Sequence, residues 1–258
     1  MAIKARASDY DESQLAHVRA TCLYVATKLG DMLDEVVIVG GIVPSLLIDQ
    51  GNVREKHVGT TDLDVGVPLP IFEKKRYQTL TERLRQAGLS PDTSEGGSPT
   101  RRRWKIDGPK EVGVDFVSVA WGLQFAFIDC VRVTLQGKTI RDEEARQEVR
   151  VSGPTAFVLM KALVFRARGG SKDAYDLVYF LQNHDAGVGG VATRLRTLLH
   201  HPSALKAIGY LSEDFASADA VGPRRVAEFL LGAPSEGVQA DAWRAVRDLL
   251  DRVTSGRR

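Results

Sequence analysis

The sequence predicts an α+β protein in which a mixed β-sheet flanked by helices is followed by a mostly helical C-terminal domain. Up to about Arg150, short β-rich runs alternate with helical stretches, whereas almost everything after Gly153 has helical periodicity. The chain has 258 residues, of which 43% are hydrophobic, so it can bury a substantial core without disulfide or metal support. We therefore expect a mixed α/β domain over residues 1–150 and a helical domain over residues 151–258.

The first elements are a helix and a buried strand. Apolar residues recur at helical spacing between Leu15 and Leu29, which predicts an amphipathic helix over residues 11–30. The β-branched run Val36–Val39 ends at Gly40-Gly41. This pattern is typical of a buried strand that turns sharply into a helix, here over residues 42–49.

The rest of the first domain is expected to contain four strands, one helix and one exposed loop. The first is a strand over Leu63–Val67 closed by Pro68 and Pro70, followed by a helix over 71–87 and a loop from Ser90 to Thr100. Two strands, Arg101–Ile106 and Val112–Val119, then flank the turn Asp107-Gly108-Pro109. The last strand is expected over Phe125–Leu135, before a turn at Gly137.

Helix signals dominate the second domain. Pro154 is suited to the first position of a helix, with Ser152 as a candidate cap, and this helix is expected to end at Gly169-Gly170. Ser171 is predicted to cap the next helix, which ends near Asn183. Further helices are expected over residues 188–200, 203–215, 222–232 and 239–253, and residues 184–258 carry no functional motif.

Composition excludes several classes of protein. The 35 basic and 33 acidic side chains give a net charge of +2, which does not by itself indicate a nucleic-acid partner. Cys22 and Cys130 belong to no CxxC pair, so we expect reduced thiols. The most apolar stretch, Val36–Ile48, is interrupted by glycine and proline and is shorter than the roughly 20 residues of a membrane span. We expect both thiols to be buried, in a cytoplasmic monomer with no membrane partner.

Asp62 and Asp64 are the first candidate functional residues. They lie two positions apart at the start of a predicted strand, so both side chains project from the same face. Two carboxylates held this close repel each other unless a cation neutralises them. Mg²⁺ is typically bound by one or two carboxylates together with substrate phosphates, so the pair indicates a metal site. The alternatives are a strand-entry or turn residue at Asp62 and an exposed strand residue at Asp64.

A third carboxylate on a neighbouring strand would complete such a site. Asp115 and Asp129 are both single acids within apolar runs, where an unpaired charge is costly. Asp115 is our first choice and Asp129 the alternative.

Gly40 and Gly41 allow close approach of the backbone to a ligand at a helix start, which predicts a phosphate cradle. A plain tight turn is the alternative. GxGxxG and GxxxxGK[ST] are both absent, which excludes a Rossmann dehydrogenase and a P-loop ATPase.

The ordered set Gly40-Gly41, Thr61-Asp62-Leu63-Asp64-Val65 and Val114-Asp115-Phe116 resembles the signature hG[GS], Dh[DE]h, h[DE]h of the polymerase-β-type nucleotidyltransferase superfamily. Within it, the sequence resembles the AbiEii-type nucleotidyltransferases, which include toxins of type IV toxin–antitoxin systems and the mycobacterial MenT proteins. The long polar spacer before Asp62 points there, as does the helical stretch Lys161–Leu177, which looks like the family's K…R…KDxxDL motif. Gly41 stands where the stricter motif has serine, so one side-chain contact to phosphate is lost.

The resemblance implies a nucleotidyltransferase fold whose helical domain completes the active-site cleft. It also implies transfer of a nucleoside monophosphate from an NTP to an acceptor, with Mg²⁺ or Mn²⁺ as cofactor and release of pyrophosphate. The implied catalytic residues are Asp62, Asp64, Asp115, Lys161 and Asp176, the first three of them as metal ligands. The implied nucleotide-binding residues are Gly40, Gly41, Ser45, Thr61, Arg166, Lys172 and Asp173.

The segment around Lys161 permits a functional and a structural interpretation. Lys172 and Asp176 are four residues apart on a helix and can pair, and Asp173 or Asp176 can orient Lys161 on a triphosphate. The alternative is a solvated helix face.

A basic stretch, Arg101–Lys105, can bind RNA through Arg101, Arg102, Arg103 and Lys105 and stack Trp104 on a base. There are two alternatives. The stretch can be an exposed edge strand whose charges prevent pairing with another chain, or one of its arginines can bind the triphosphate.

The resemblance favours the tRNA acceptor end as the acceptor and a cognate antitoxin as a partner. A small molecule or a protein as acceptor, and a non-catalytic nucleotide- or partner-binding protein, are the alternatives.

Overall fold

The computed structural model describes residues 4–68, 74–94, 97–106, 112–118 and 122–255. Within these ranges the α-helices are α1 (Glu12–Leu29), α2 (Val43–Leu47), α3 (Lys74–Gln86), α4 (Gln124–Ile128), α5 (Pro154–Arg168), α6 (Ser171–Asn183), α7 (Gly187–Leu198), α8 (Pro202–Asp214), α9 (Val221–Leu231) and α10 (Glu236–Ser255). The strands are β1 (Val37–Val39), β2 (Asp62–Gly66), β3 (Leu89–Thr93), β4 (Pro99–Ile106), β5 (Val112–Val117), β6 (Cys130–Lys138) and β7 (Glu144–Ser152).

The chain divides into two compact units. The sheet unit comprises Asp11–Leu46 and Val58–Ser152, and the helical unit comprises Met1–Tyr10, Leu47–His57 and Gly153–Arg258. Two short segments from the first 150 residues therefore belong to the unit that is built mainly from α5 to α10.

The sheet unit is organised around a seven-stranded mixed sheet in the order β3-β4-β5-β2-β1-β7-β6. Strand β2 pairs with β5 in parallel and with β1 in antiparallel orientation. Strand β1 is also parallel to β7, and the remaining pairs are antiparallel. The predicted mixed sheet is confirmed, and β2 and β5 lie side by side within it.

Helix α1 covers the sheet with its apolar face. Val18, Cys22, Val25 and Leu29 are at most 2% exposed, which confirms the predicted amphipathic helix. The helix begins after Asp11, whose carboxylate accepts a hydrogen bond from the Gln14 backbone N–H.

The predicted exposed loop from Ser90 to Thr100 is wrong at both ends, because β3 and β4 extend into it. Pro91 argues against a strand in general, but β3 is an edge strand, where a missing N–H is tolerated. Leu89 is buried opposite Ile106, and this apolar contact stabilises the segment as a strand of the sheet.

The predicted strand over Phe125–Leu135 is also wrong in its first half. Residues Gln124–Ile128 form helix α4, and β6 begins only at Cys130. Short apolar runs do not distinguish a buried helical turn from a strand. Gly137 lies within β6 rather than at the turn, and β7, which pairs with β6 along its whole length, was not predicted.

The helices of the second half agree with the sequence, except at two caps. Gly153 and Gly170, not Ser152 and Ser171, occupy the cap positions of α5 and α6, and neither provides a side-chain cap. Pro154 at the first turn of α5 reduces the need for one, since it has no N–H to satisfy. The four further predicted helices are confirmed as α7 to α10.

The predicted turn at Asp107-Gly108-Pro109, Pro70, and the predicted helix start over 71–73 lie outside the described residues. Cys22 and Cys130 are both free thiols, as expected, but only Cys22 is buried, whereas Cys130 at the start of β6 is half-buried. None of the described helices combines the length and the apolar composition that a bilayer span requires.

Candidate active site

Three aspartates lie on one face of the central strands, and we call Asp62, Asp64 and Asp115 the carboxylate face. Leu63 and Val65 are fully buried, so the alternating residues Asp62 and Asp64 project from the opposite side of β2. Asp64 stands opposite Asp115 in the parallel pair of β2 and β5. The same-face prediction is therefore confirmed, and the register brings Asp115 beside Asp64.

Asp129, the alternative third carboxylate, lies elsewhere. It is the residue after α4, immediately before β6, and only 2% of it is exposed. The structure therefore gives Asp115, not Asp129, the position next to Asp64.

Arg103 on β4 connects the carboxylate face to a further acid. Its Nη1 lies 2.6 Å from Asp115 Oδ2, its Nη2 lies 3.0 Å from Asp62 Oδ1, and its Nε lies 3.2 Å from Asp92 Oδ2. Asp92, on β3, also pairs with Lys105 at 2.9 Å. Sequence analysis did not identify Asp92, because its strand was expected to be a loop.

Burial and charge act on these groups in opposite directions. Burial raises the pKa of Asp115, and the charge of Asp62 raises it further. The charge of Arg103 lowers this pKa, but the net shift is upward. Burial lowers the pKa of Arg103, but the charges of Asp115, Asp62 and Asp92 outweigh it and raise that pKa overall. Arg103 therefore stays cationic beside the carboxylates.

Gly40 is required where β1 ends. Its φ of +76° favours glycine, and a Cβ built on it would lie 2.0 Å from Asp64 Oδ2. Any side chain at this position would collide with the Asp64 carboxylate. The predicted Gly-Gly turn thus lies directly against the carboxylate face, with Gly41 buried in the turn that leads to α2.

The two predicted phosphate-binding hydroxyls have protein partners. Ser45 is 6% exposed and its hydroxyl donates to the Ile42 carbonyl at 2.7 Å. Thr61 is 8% exposed and its hydroxyl donates to Asp62 Oδ2 at 3.2 Å. Thr61 therefore adjoins the carboxylate face, whereas the Ser45 hydroxyl is bound to the carbonyl of the residue that precedes α2.

The chemistry of the carboxylate face fits a hard divalent cation. Its carboxylate oxygens are the ligands that Mg²⁺ and Mn²⁺ prefer. Within the described ranges, no three His, Cys, Asp or Glu residues are gathered as a ready metal site. Asp62 and Asp115 are instead both paired with the Arg103 guanidinium, which supplies a positive charge between them.

The basic stretch on β4 does not form one exposed surface. Trp104 is 1% exposed, so the predicted stacking of this ring on a base is wrong. The edge-strand alternative is wrong as well, since β3 covers that side of β4. Arg103 and Lys105 are paired with acids, while Arg101 and Arg102 are exposed and Arg101 stacks on Tyr77 at 4.6 Å.

A second group of charges lies inside the helical unit, and we call Lys161, Lys172, Asp173, Asp176 and His57 the lysine cluster. Lys161 Nζ lies 2.9 Å from Asp173 Oδ1 and 2.6 Å from Asp176 Oδ2. Lys172 Nζ and His57 Nε2 both reach Asp176 Oδ1, at 2.7 Å and 2.9 Å. The Asp176 carboxylate is fully buried.

The pKa values of Lys161 and Asp176 follow from this mutual pairing, whereas burial lowers the pKa of Lys172 against the charge of Asp176. Burial opposes the charged form of Lys161, but Asp173 and Asp176 outweigh it and raise the pKa. Burial likewise acts against Asp176, and Lys161 and Lys172 outweigh it and hold its pKa well below the usual range. The cluster is thus a buried ion network, and the alternative of a solvated helix face is wrong.

Arg166 has a different set of contacts from the one the resemblance implies. Its guanidinium pairs with Glu213 at 2.7 Å and Asp214 at 3.0 Å and lies over the Tyr210 ring. All three residues belong to the last two turns of α8. Arg166 therefore joins α5 to α8.

His57 was not identified from sequence, because it is 119 positions away from its partner Asp176. Its ring stacks on Tyr175 and its backbone N–H donates to Gln50 Oε1 at 2.9 Å. Tyr179 donates to the Glu55 carbonyl at 2.9 Å. The segment before His57 is thus fixed to α6.

His57 is expected to make stability pH-dependent. Burial lowers the pKa of His57 from its ordinary value of 6.5 to about 4, although the hydrogen bond to Asp176 acts to raise it. Below about pH 6.5 the unfolded chain takes up a proton that the folded protein does not, so the free energy of unfolding falls as pH drops towards 4. The slope is at most about 1.4 kcal/mol per pH unit.

Urea unfolding at pH 7, 6 and 5 measures this effect. His57→Gln is expected to flatten the profile, whereas replacement of the exposed His200 by Gln leaves it as in the wild type. Equal profiles for wild type and His57→Gln would contradict the assignment.

Comparison with known proteins adds little. No protein-family model and no curated protein matches the chain. Among solved structures, the chain is similar to the crystal structure of an antigenic nucleotidyltransferase-like protein from Paracoccidioides brasiliensis, with 20% identity, a TM-score of 0.42, and coverage of 74% of this chain and 93% of that chain. Since both the identity and the TM-score are low, this similarity does not assign a function to the chain.

Proposed function

We propose that this protein is a nucleotidyltransferase that transfers a nucleoside monophosphate from an NTP to an acceptor hydroxyl and releases pyrophosphate. One observation carries the proposal: Asp62, Asp64 and Asp115 share one face of two parallel strands, directly beside the Gly40 turn. The acids on this face can hold a divalent cation, and the glycine turn against them allows phosphate oxygens to approach the backbone closely, which supports nucleotidyl transfer.

Each part has a role in the proposed reaction. The acceptor oxygen forms a bond to the α-phosphorus, the bond from the α-phosphorus to the bridging oxygen breaks, and Asp115 is our candidate to take the hydroxyl proton. A bound Mg²⁺ or Mn²⁺, held by Asp62, Asp64 and Asp115, would neutralise the charge of the triphosphate. The backbone at Gly40-Gly41 provides close approach to phosphate oxygens.

The lysine cluster has a less direct role in this proposal. Lys161 on the triphosphate, implied by the resemblance, stays a prediction. Its two carboxylate partners favour a structural role, because they use the ammonium to tie α5 to α6.

RNA is the acceptor class that we propose, with the tRNA acceptor end as the first candidate. The resemblance supports it, and so do exposed Arg101 and Arg102 near helix α3. Helix α3 has five basic residues and one acid: Lys74, Lys75, Arg76, Arg83 and Arg85 against Glu82. Two of the five are already paired, Arg76 with Asp31 and Glu35 and Arg83 with Asp31. A toxin role with a cognate antitoxin rests on the resemblance alone.

Label transfer tests the proposed function. The purified protein is incubated with Mg²⁺, total tRNA and each of the four α-³²P-labelled NTPs in turn. We expect label on RNA with one NTP. Label on polypeptide would contradict the RNA acceptor, and no label on any acceptor would contradict the proposed function.

Arg101 and Arg102 are expected to bind the RNA backbone. Replacing both with Gln should weaken RNA binding by about tenfold at physiological salt and lower the salt dependence, because phosphate contacts release counterions. Fluorescence anisotropy with labelled tRNA at several salt concentrations measures both quantities. An Arg244→Gln/Arg247→Gln variant, which alters two exposed arginines on α10, is the matched control. Equal affinities of the two double variants would contradict the assignment.

A further inference from the structure

Arg103 is held beside the carboxylate face by three separate contacts. Nη1 donates a hydrogen bond to Asp115 and Nη2 donates one to Asp62, whereas Nε forms an ion pair with Asp92. The ion pair with Asp92 therefore involves a nitrogen that the two hydrogen bonds do not use.

Gly113 on β5 leaves the space that the Arg103 guanidinium occupies. A Cβ added at Gly113 would lie 2.4 Å from Arg103 Nη2 and 2.8 Å from Asp62 Oδ1. Gly113 stands opposite Asp62 in the pair of β2 and β5 and opposite Lys105 in the pair of β4 and β5. Only glycine at this position leaves the bridge between Arg103 and Asp62 undisturbed.

A divalent cation on this face would meet Arg103 as a competitor. Asp62 Oδ1 and Asp115 Oδ2, the oxygens that Arg103 binds, are among the oxygens that the cation would use. A guanidinium and a divalent cation at the same carboxylates also repel each other. The two cations would therefore compete for Asp62 and Asp115.

We propose that Arg103 is the resident counter-cation of the carboxylate face, which a divalent cation displaces, and that the displaced guanidinium then binds the phosphates of the incoming triphosphate. This inference rests on the proposed function, because it assigns the cation and the triphosphate to Asp62, Asp64 and Asp115. Asp92 retains Arg103 on the same face after displacement, since the ion pair between its carboxylate and Nε does not have to break. The two Nη groups are then available to phosphate oxygens, for which the arginine fork is well suited.

The proposal predicts opposite effects of one substitution on two ligands. Arg103→Gln is expected to bind Mn²⁺ more tightly than the wild type, on the order of tenfold, because the competing charge is gone. At saturating Mn²⁺ the same variant is expected to bind inorganic tripolyphosphate more weakly, by about tenfold. A merely structural role of Arg103 would not shift the two affinities in opposite directions.

The experiment is a Mn²⁺ titration followed by electron paramagnetic resonance, then calorimetry with tripolyphosphate. Arg103→Lys keeps the charge and is expected to bind Mn²⁺ nearly as the wild type does. Arg103→Met is a second neutral variant, and circular dichroism checks that each variant folds. Arg132→Gln is the matched control, since it removes one exposed arginine from β6 at the opposite edge of the sheet.

Equal Mn²⁺ affinities of the wild type and both neutral variants would overturn the proposal, as would unchanged tripolyphosphate binding. These measurements involve no turnover, so their failure is distinct from that of the proposed function. Label transfer with unchanged Mn²⁺ affinity in Arg103→Gln would refute only the role of Arg103. Tighter Mn²⁺ binding together with weaker tripolyphosphate binding, but without any label transfer, would refute only nucleotidyl transfer.

Discussion

Replacing Asp64 with asparagine is expected to lower nucleotide transfer by about a thousandfold or more while the protein stays folded. Asp64 has the central position of the carboxylate face, opposite Asp115 and against Gly40. Asparagine has the same size but lacks the negative charge that holds a divalent cation, and losing several kcal/mol of transition-state stabilisation gives an effect of this size. Initial rates of label transfer, with circular dichroism as the check on folding, measure it.

The two candidate third carboxylates provide a matched pair for the same assay. Asp115→Asn is expected to lose transfer as Asp64→Asn does. Asp129→Asn, which changes a buried aspartate outside β2 and β5, is expected to keep a rate close to that of the wild type. Loss of transfer in Asp129→Asn with retention in Asp115→Asn would reverse the assignment, and retained transfer in both Asp62→Asn and Asp64→Asn would refute the carboxylate face.

The largest effect on stability is expected at Asp176. Its buried carboxylate accepts hydrogen bonds from Lys161, Lys172 and His57. Asp176→Asn would leave the buried Lys172 ammonium without its carboxylate partner, and breaking a buried pair in this way costs about 3–5 kcal/mol. Since whole proteins are stable by only about 5–15 kcal/mol, the variant is expected to be marginally folded at 37 °C.

Urea unfolding monitored by circular dichroism measures this loss. The control is Asp251→Asn, which breaks an exposed pair with Arg247 on α10 and is expected to change the free energy of unfolding by at most about 0.5 kcal/mol. If the two variants unfold at the same urea concentration, the lysine cluster does not stabilise the fold.

Local patterns in the sequence were sufficient to predict the centre of the site. The run Val36–Val39 before Gly40-Gly41 and the alternation Asp62-Leu63-Asp64 each depend on neighbouring residues, so strand, turn and facing direction could all be predicted. The choice between Asp115 and Asp129 was different, because it depends on which strand lies beside β2. That pairing is a long-range property that only the structure provides.

The errors have the same origin. Pro91 is compatible with a strand only because β3 is at the edge of the sheet, and Trp104 is buried only because β3 and α3 lie nearby. Neither fact is encoded within a few residues of those positions. The contact of His57 with Asp176 and the contact of Arg103 with Asp62 join residues 119 and 41 positions apart, and single-sequence periodicity carries no information on such pairs.

The most direct test of the central claim compares two positions of the label in the same NTP. The protein is incubated with Mg²⁺ and total tRNA and with either α-³²P- or γ-³²P-labelled NTP, and the fate of each label is followed. Nucleotidyl transfer at the carboxylate face predicts that the α-label moves to the acceptor, that the γ-label leaves as pyrophosphate, and that both changes disappear in Asp64→Asn. Transfer of the γ-label to the acceptor, or equal transfer by the wild type and Asp64→Asn, would contradict the proposed reaction.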